Sequence, residues 1–210
     1  MRKTLRQSVT IFALALTVFA ASDAVKTVDA TVLPAHDSPP DVEFLDMMML
    51  HHEHGIAMAR QAEQKATLPR VKEFAAKTAA DQQQDMEKMR EMRARLFPNV
   101  SKADKMRMGA KPMTTRQMNR MAQVHMQKLE AARGKAFDHV FLDTMKKHHE
   151  MALAMSRNEV EKGQQPEVKD MANATIEKQT REIGEMRDMM KQAGGTAAGS
   201  GSRKGGGHKH

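Results

Sequence analysis

The 210-residue chain has no cysteine, tryptophan or tyrosine but 21 methionines, and its formal net charge is +8. Without cysteine there are no disulfides and no thiolate ligands, so stability rests on packing and any soft-metal chemistry on thioethers. The excess of basic residues is scattered among Glu and Asp with no aromatic platform, which argues against a nucleic-acid partner.

In chain order, Arg2, Lys3 and Arg6 precede an apolar stretch from Val9 to Ala21 and small residues suited to cleavage between Ala20 and Ala24. Residues 1–24 therefore read as a secretory signal peptide, giving a periplasmic or secreted chain with no stable membrane insertion after cleavage. Losing Arg2, Lys3 and Arg6 together with Asp23 takes the charge from +8 to +6. Residues 25–40, with Pro34, Pro39 and Pro40, read as an extended linker. A first helix is expected from about Asp41 to Lys65, and Pro69 opens a second that ends near Phe97-Pro98. Asn99 to Lys111 is polar. Thr115 to Arg133 has the spacing of a shorter connecting helix, with Gly134 ending it. Further helices are expected from about Ala136 to Lys162 and from Pro166 to about Gln192, broken at Gly163. Residues 193–210 form a Gly/His tail that cannot pack. No stretch alternates as a strand, so the chain reads as all-α, with one helical metal-binding domain over 41–192.

The run FLDMMMLHHEHGIAMAR at 44–60 recurs as FLDTMKKHHEMALAMSR at 141–157. An offset of 97 also aligns Pro69 with Pro166, Val71 with Val168 and Ala75 with Ala172, and 20 of the 49 positions from 44 to 92 are identical without a gap. This implies a duplicated unit, with repeats over 41–97 and 138–192 and a connecting segment over 98–137. Two antiparallel hairpins, each with an apolar stripe to bury, dock most simply as a four-helix bundle, and the long link permits a ferritin-like crossover.

At about 100° per residue, Phe44, Leu45, Met48, His51, His52 and Gly55 share one helical stripe, with Met58 just outside it. Phe141, Leu142, Met145, His148, His149, Ala152 and Met155 form the matching stripe. The hydrophobic members turn this face inward and carry the imidazoles with them. One histidine on such a face is ordinarily a hydrogen-bonded structural group. Two adjacent pairs on equivalent helices, flanked by Met48, Met58, Met145 and Met155, favour a metal, because imidazole and thioether suit soft, late first-row ions.

Asp46, Glu53, Asp143 and Glu150 are candidates to orient the imidazoles or, equally, solvated charges; Glu53 and Glu150 lie off the main stripe, and Asp46, about 160° from Met48, should face water. Met86, Met89, Met92, Met186, Met189 and Met190 read as core. Met106, Met108, Met113, Met118, Met121 and Met126, with His125, offer a second thioether-rich surface for Cu(I) or Ag(I). His208 and His210 are possible cation ligands in the tail.

A di-iron carboxylate bundle needs Glu-x-x-His, and no Glu precedes His51, His52, His148 or His149 by three. Covalent haem would need C-x-x-C-H, and zinc gives no reason for the methionines.

Both histidine segments resemble the pattern Phe-Leu-x-x-Met-x-x-His-His-x-x-(Ala or Gly)-x-x-Met of the family called domain of unknown function 305. The resemblance spans roughly Asp41 to Gln192. It implies a ferritin-like helical bundle and an exported protein that binds copper, in some cases silver, and aids metal tolerance. It further implies Met48, His51, His52, Met58, Met145, His148, His149 and Met155 as ligands. Gly55 departs from the more usual Ala, and His54 is an additional histidine.

The expected function is non-catalytic: a periplasmic protein that sequesters Cu(I), Cu(II) or Ag(I), or passes it to another periplasmic copper carrier. Two alternatives are a metal-independent helical envelope or interaction protein with structural histidines, and a metal-dependent redox enzyme.

Overall fold

The computed structural model describes residues 38–198 apart from residue 110, with side chains as far as Gln192. The signal-like segment, most of the linker, and the tail histidines His208 and His210 lie outside the described residues.

Five helices carry the fold: α1 (Pro40–Lys65), α2 (Pro69–Leu96), α3 (Thr115–Ala131), α4 (Gly134–Lys162) and α5 (Pro166–Ala198). Proline stands at the first position of α1, α2 and α5, where its missing N–H leaves no lost bond. The hairpins α1–α2 and α4–α5 pack against each other chiefly through α1 and α4. This is the four-helix bundle of two duplicated hairpins that the repeat implies. Helix α3 lies over α1 and α4 and buries Met118 and Leu129. Its start is fixed by a capping box, in which Gln117 N–H donates to Thr114 Oγ1 (3.2 Å) and Thr114 N–H to Gln117 Oε1 (2.9 Å). No helix among the described residues is long and apolar enough to cross a membrane.

The apolar interior forms two clusters. One gathers Phe44, Leu45, Met48, Met86, Met89, Ala152, Met155 and Val168. The other gathers Met58, Val71, Phe74, Phe141, Leu142, Met145, Ile183 and Met186. Each draws on both hairpins, so neither hairpin buries its own stripe alone, and each fully buried Leu, Phe or Met contributes about 1.5–3 kcal/mol.

The turns inside the hairpins are tied across the repeats. Asp138 of α4 accepts from Thr67 N–H (2.8 Å), Leu68 N–H (3.1 Å) and the Thr67 hydroxyl at the α1–α2 turn. Its repeat-equivalent Asp41 of α1 accepts from Gln164 N–H (3.1 Å) and Gln165 N–H (2.8 Å) at the α4–α5 turn. Each hairpin's turn, just before its second helix, thus has its N–H groups satisfied by the other repeat.

Four expectations need correction. The link contains a small antiparallel ribbon, β1 (Lys105–Met108) with β2 (Lys111–Thr114), in place of uniform loop. Four-residue strands show too little alternation to be read from sequence. Docking supplies the order here: Met106 is buried, Arg107 N–H donates to Glu43 Oε2 of α1 (2.9 Å), and Gly109 takes the positive φ of +60° that a tight connection needs. Second, Asp46 is buried rather than solvated, because the link covers this side of α1. It pairs with Arg93 Nε (3.1 Å) and accepts from Ala103 N–H (2.8 Å). Third, Gly134 opens α4 at φ +56° instead of ending α3, which stops at Ala131. Fourth, α5 runs past Gln192 to Ala198, and α1 takes Pro40 from the linker.

Candidate metal centre

The four histidines meet in one layer between the two apolar clusters, each at most 2% exposed. At its middle, His51 and His148 stack with ring centroids 3.5 Å apart and planes 20° from parallel. His51 Nε2 lies 3.0 Å from the His148 carbonyl oxygen, and His148 Nε2 lies 2.9 Å from that of His51. A carbonyl can only accept, so both rings carry their proton on Nε2 and present Nδ1 as a lone pair. His52 and His149 flank the stack, their rings tilted against His51 and His148 at centroid distances of 6.2 and 6.1 Å.

Carboxylates from the second helices reach the outer rings. His149 Nε2 donates to Glu182 Oε2 at 2.8 Å, while His52 Nε2 is 4.0 Å from Asp85 Oδ2. Asp85 and Glu182 are equivalent under the 97-residue offset, as are the buried Gln82 and Gln179 and the buried Thr78 and Thr175. Nδ1 of His51, His148 and His149 has no hydrogen-bond partner among the described residues, and neither end of the Gln82 amide has one. Buried polar atoms of this kind ordinarily find partners. Their concentration in one layer marks it off from the rest of the interior.

Three of the four rings resist positive charge. Burial, and then the neighbouring imidazoles, hold His51 and His148 well below the usual histidine value. His52 is pushed down to about 3 by burial, His149 and Lys178, with the Met48 carbonyl partly opposing. Neutral imidazole is the form that ligates metal.

Of the residues singled out in sequence, the fold brings His51, His52, His148 and His149 together and divides the methionines. Met48 and Met155 lie in one apolar cluster, Met58 and Met145 in the other. Glu53 and Glu150 do not reach the imidazoles: Glu53 is exposed, and Glu150 pairs with Lys146 at 2.9 Å on the surface. Among the described residues, no three His, Asp or Glu side chains converge as a ready cation site. His54 is half-buried, with Asn119 of α3 as a hydrogen-bond partner. In the link, Met106 and Met118 are core, whereas Met121 is 37% exposed.

Asp85, Glu182, Gln82 and Gln179 were not singled out from sequence. The 97-residue register could have found them, since it pairs glutamine with glutamine and acid with acid on the helices facing the histidines.

No curated protein matches the chain. Among solved structures it is similar to CopM in the Cu(II)-bound form, at 28% identity over 72% of this chain and 96% of that one (TM-score 0.60). CopM in the Cu(I)-bound form is similar at 27% identity over the same shares (TM-score 0.57). A DUF305 protein from Streptomyces coelicolor shares the fold at 24% identity, over 82% of this chain and 98% of that one (TM-score 0.64). The family model described as domain of unknown function (DUF305) matches residues 41–190, and the chain belongs to that family.

Proposed function

We propose that this protein is an exported copper-binding protein that sequesters or passes on Cu(I), with Cu(II) and Ag(I) as further cargo, and so contributes to metal tolerance. The observation that carries the reading is the buried layer of four imidazoles, in which Nδ1 of His51, His148 and His149 has no partner among the described residues. The donor set fits: imidazole and thioether select soft, late first-row ions, and no thiolate competes. Met48 and Met155 share one apolar cluster and Met58 and Met145 the other, which makes thioethers available in both. CopM, the relative at 27–28% identity, has structures described as Cu(II)-, Cu(I)- and Ag-bound. Export is supported by the pattern of residues 1–24. The role calls for no catalytic step, and a second periplasmic copper carrier is the protein partner that hand-over requires.

One observation favours a metal-independent alternative. The reciprocal bonds of His51 and His148 to each other's backbone give two imidazoles a structural task at the helix crossing. Anaerobic titration of the mature chain with Cu(I) against a competing chromogenic chelator separates the readings, beside a variant with His51, His52, His148 and His149 changed to alanine. Circular dichroism checks that the variant keeps its helix. Tight binding lost in the variant supports the copper reading. Tight binding retained moves the site to the link methionines or the tail, and no binding by either protein leaves the structural reading.

A further inference from the structure

We propose that the two histidine pairs are unequal ion sites, and that Glu182 makes the His149 end the first to load. The inference rests on the copper-binding reading above. Residues 85 and 182 hold equivalent places in the two repeats, but one is aspartate and the other glutamate. The additional methylene brings Glu182 Oε2 to 2.8 Å from His149 Nε2, whereas Asp85 Oδ2 stops 4.0 Å from His52 Nε2.

The surrounding charges widen the difference. Lys178 Nζ sits 2.7 Å from that same Asp85 Oδ2, so the oxygen nearest His52 is already claimed by a cation. Beside Glu182, Lys77 Nζ is 3.8 Å from the other oxygen, Oε1, and has its closer partner in Asp81 at 2.7 Å. Glu182 Oε2 is left to His149.

A carboxylate that accepts Nε2–H fixes the ring's tautomer and orientation and strengthens Nδ1 as a donor. His149 has this arrangement, with Nδ1 unengaged among the described residues. His52 has no carboxylate at hydrogen-bond distance and only the neutral Met48 carbonyl as partner, so no charge polarises its ring. The duplication thus yields two imidazole pairs that one methylene makes unequal. The first ion binds tightly at the His149 end, and the second binds more weakly and leaves first.

Stepwise Cu(I) titration of the mature chain, with Glu182→Asp and Asp85→Glu beside it, tests this. Shortening residue 182 weakens the first step by about 10–100-fold, the usual effect of losing a group that orients a ligand. Lengthening residue 85 raises the second affinity toward the first. In the metal-free proteins, long-range proton–nitrogen NMR reads His149 as the Nε2–H tautomer, and Glu182→Asp weakens that preference, which a purely structural role would not do. If Glu182→Asp leaves the first step and the tautomer unchanged while the four-alanine variant loses binding, the inequality is overturned and the copper reading stands. If the four-alanine variant binds as the wild type does, both fall.

Discussion

His51 and His148 stack across the α1–α4 seam at 3.5 Å, and each donates its Nε2 proton to the other's backbone carbonyl. Protonating either ring would place a buried cation against a second imidazole with no counter-charge in contact, which is why both titrate well below the usual 6.5, with burial the larger cause. In the unfolded chain these rings take up protons near 6.5, while in the folded chain His52 does so only at about 3. The unfolded state therefore binds more protons between those values. The contribution of these three histidines to the stability of the metal-free protein is expected to be fully present above pH 6.5 and to fall as pH drops toward 3. Urea unfolding midpoints from pH 7.5 to 4.5 check this in a Glu159→Gln background, which removes an opposing ionisation, and a flat profile there would count against buried, neutral rings at His51, His52 and His148.

Gly55 sits where the stack is tightest. A Cβ there would lie 2.7 Å from His148 Cε1 and overlap Gln82 Oε1. Gly55→Ala is expected to destabilise by about 1–3 kcal/mol, the usual cost of overpacking, despite alanine's better helix propensity. The reverse change at the equivalent position, Ala152→Gly, relieves no clash and costs only about 0.5–1 kcal/mol. Denaturant curves of the two variants give the comparison, and equal effects would mean that the niche is not needed.

Much of this was legible in the sequence because duplication leaves an internal control. The offset of 97 keeps His51 with His148 and Pro69 with Pro166, so four helices and an inward histidine face follow from periodicity. What periodicity on one helix could not show was what lies opposite. Asp46 faces outward from its own stripe and is nevertheless buried, because residues 97–103 fold over it. The carboxylates nearest the imidazoles come from α2 and α5, about 33 residues further along the chain, while Glu53 and Glu150, adjacent in sequence, face away. The ribbon at Lys105–Thr114 was invisible for a different reason, since strands of four residues take their order from the surface they dock on.

The exchanged turn contacts of Asp41 and Asp138 give a third test. Asp138→Ala removes three hydrogen bonds and leaves the Thr67 and Leu68 N–H groups without their acceptor. A loss of about 1–3 kcal/mol is expected, the usual cost of leaving buried donors unsatisfied. Because the contact ties α4 to the α1–α2 turn, the loss should appear in hydrogen exchange at the start of α2, in the repeat that does not contain the substitution. Faster exchange confined to α4 would show that the bridge does not couple the repeats.

Glu159 breaks the repeat symmetry, standing where the other unit has Ala62, and it is wholly buried. Gly163 makes room for it, since a Cβ there would overlap the Glu159 carboxyl. Burial, and then the charge of Asp41, push its pKa up to about 9, with Lys169 opposing. Asp41 accepts from the N–H groups of Gln164 and Gln165, and a neutral Glu159 can donate to it where an ionised one would repel it. Unfolded, Glu159 ionises near 4.5. Its contribution to stability is therefore complete below pH 4.5 and declines as pH rises toward 9, the opposite direction from the histidines. Glu159→Gln keeps the shape and a donor while removing the ionisation. Its unfolding midpoint should match the wild type at pH 4 and exceed it increasingly up to pH 8, and parallel curves across that range would show that the carboxyl is not held neutral.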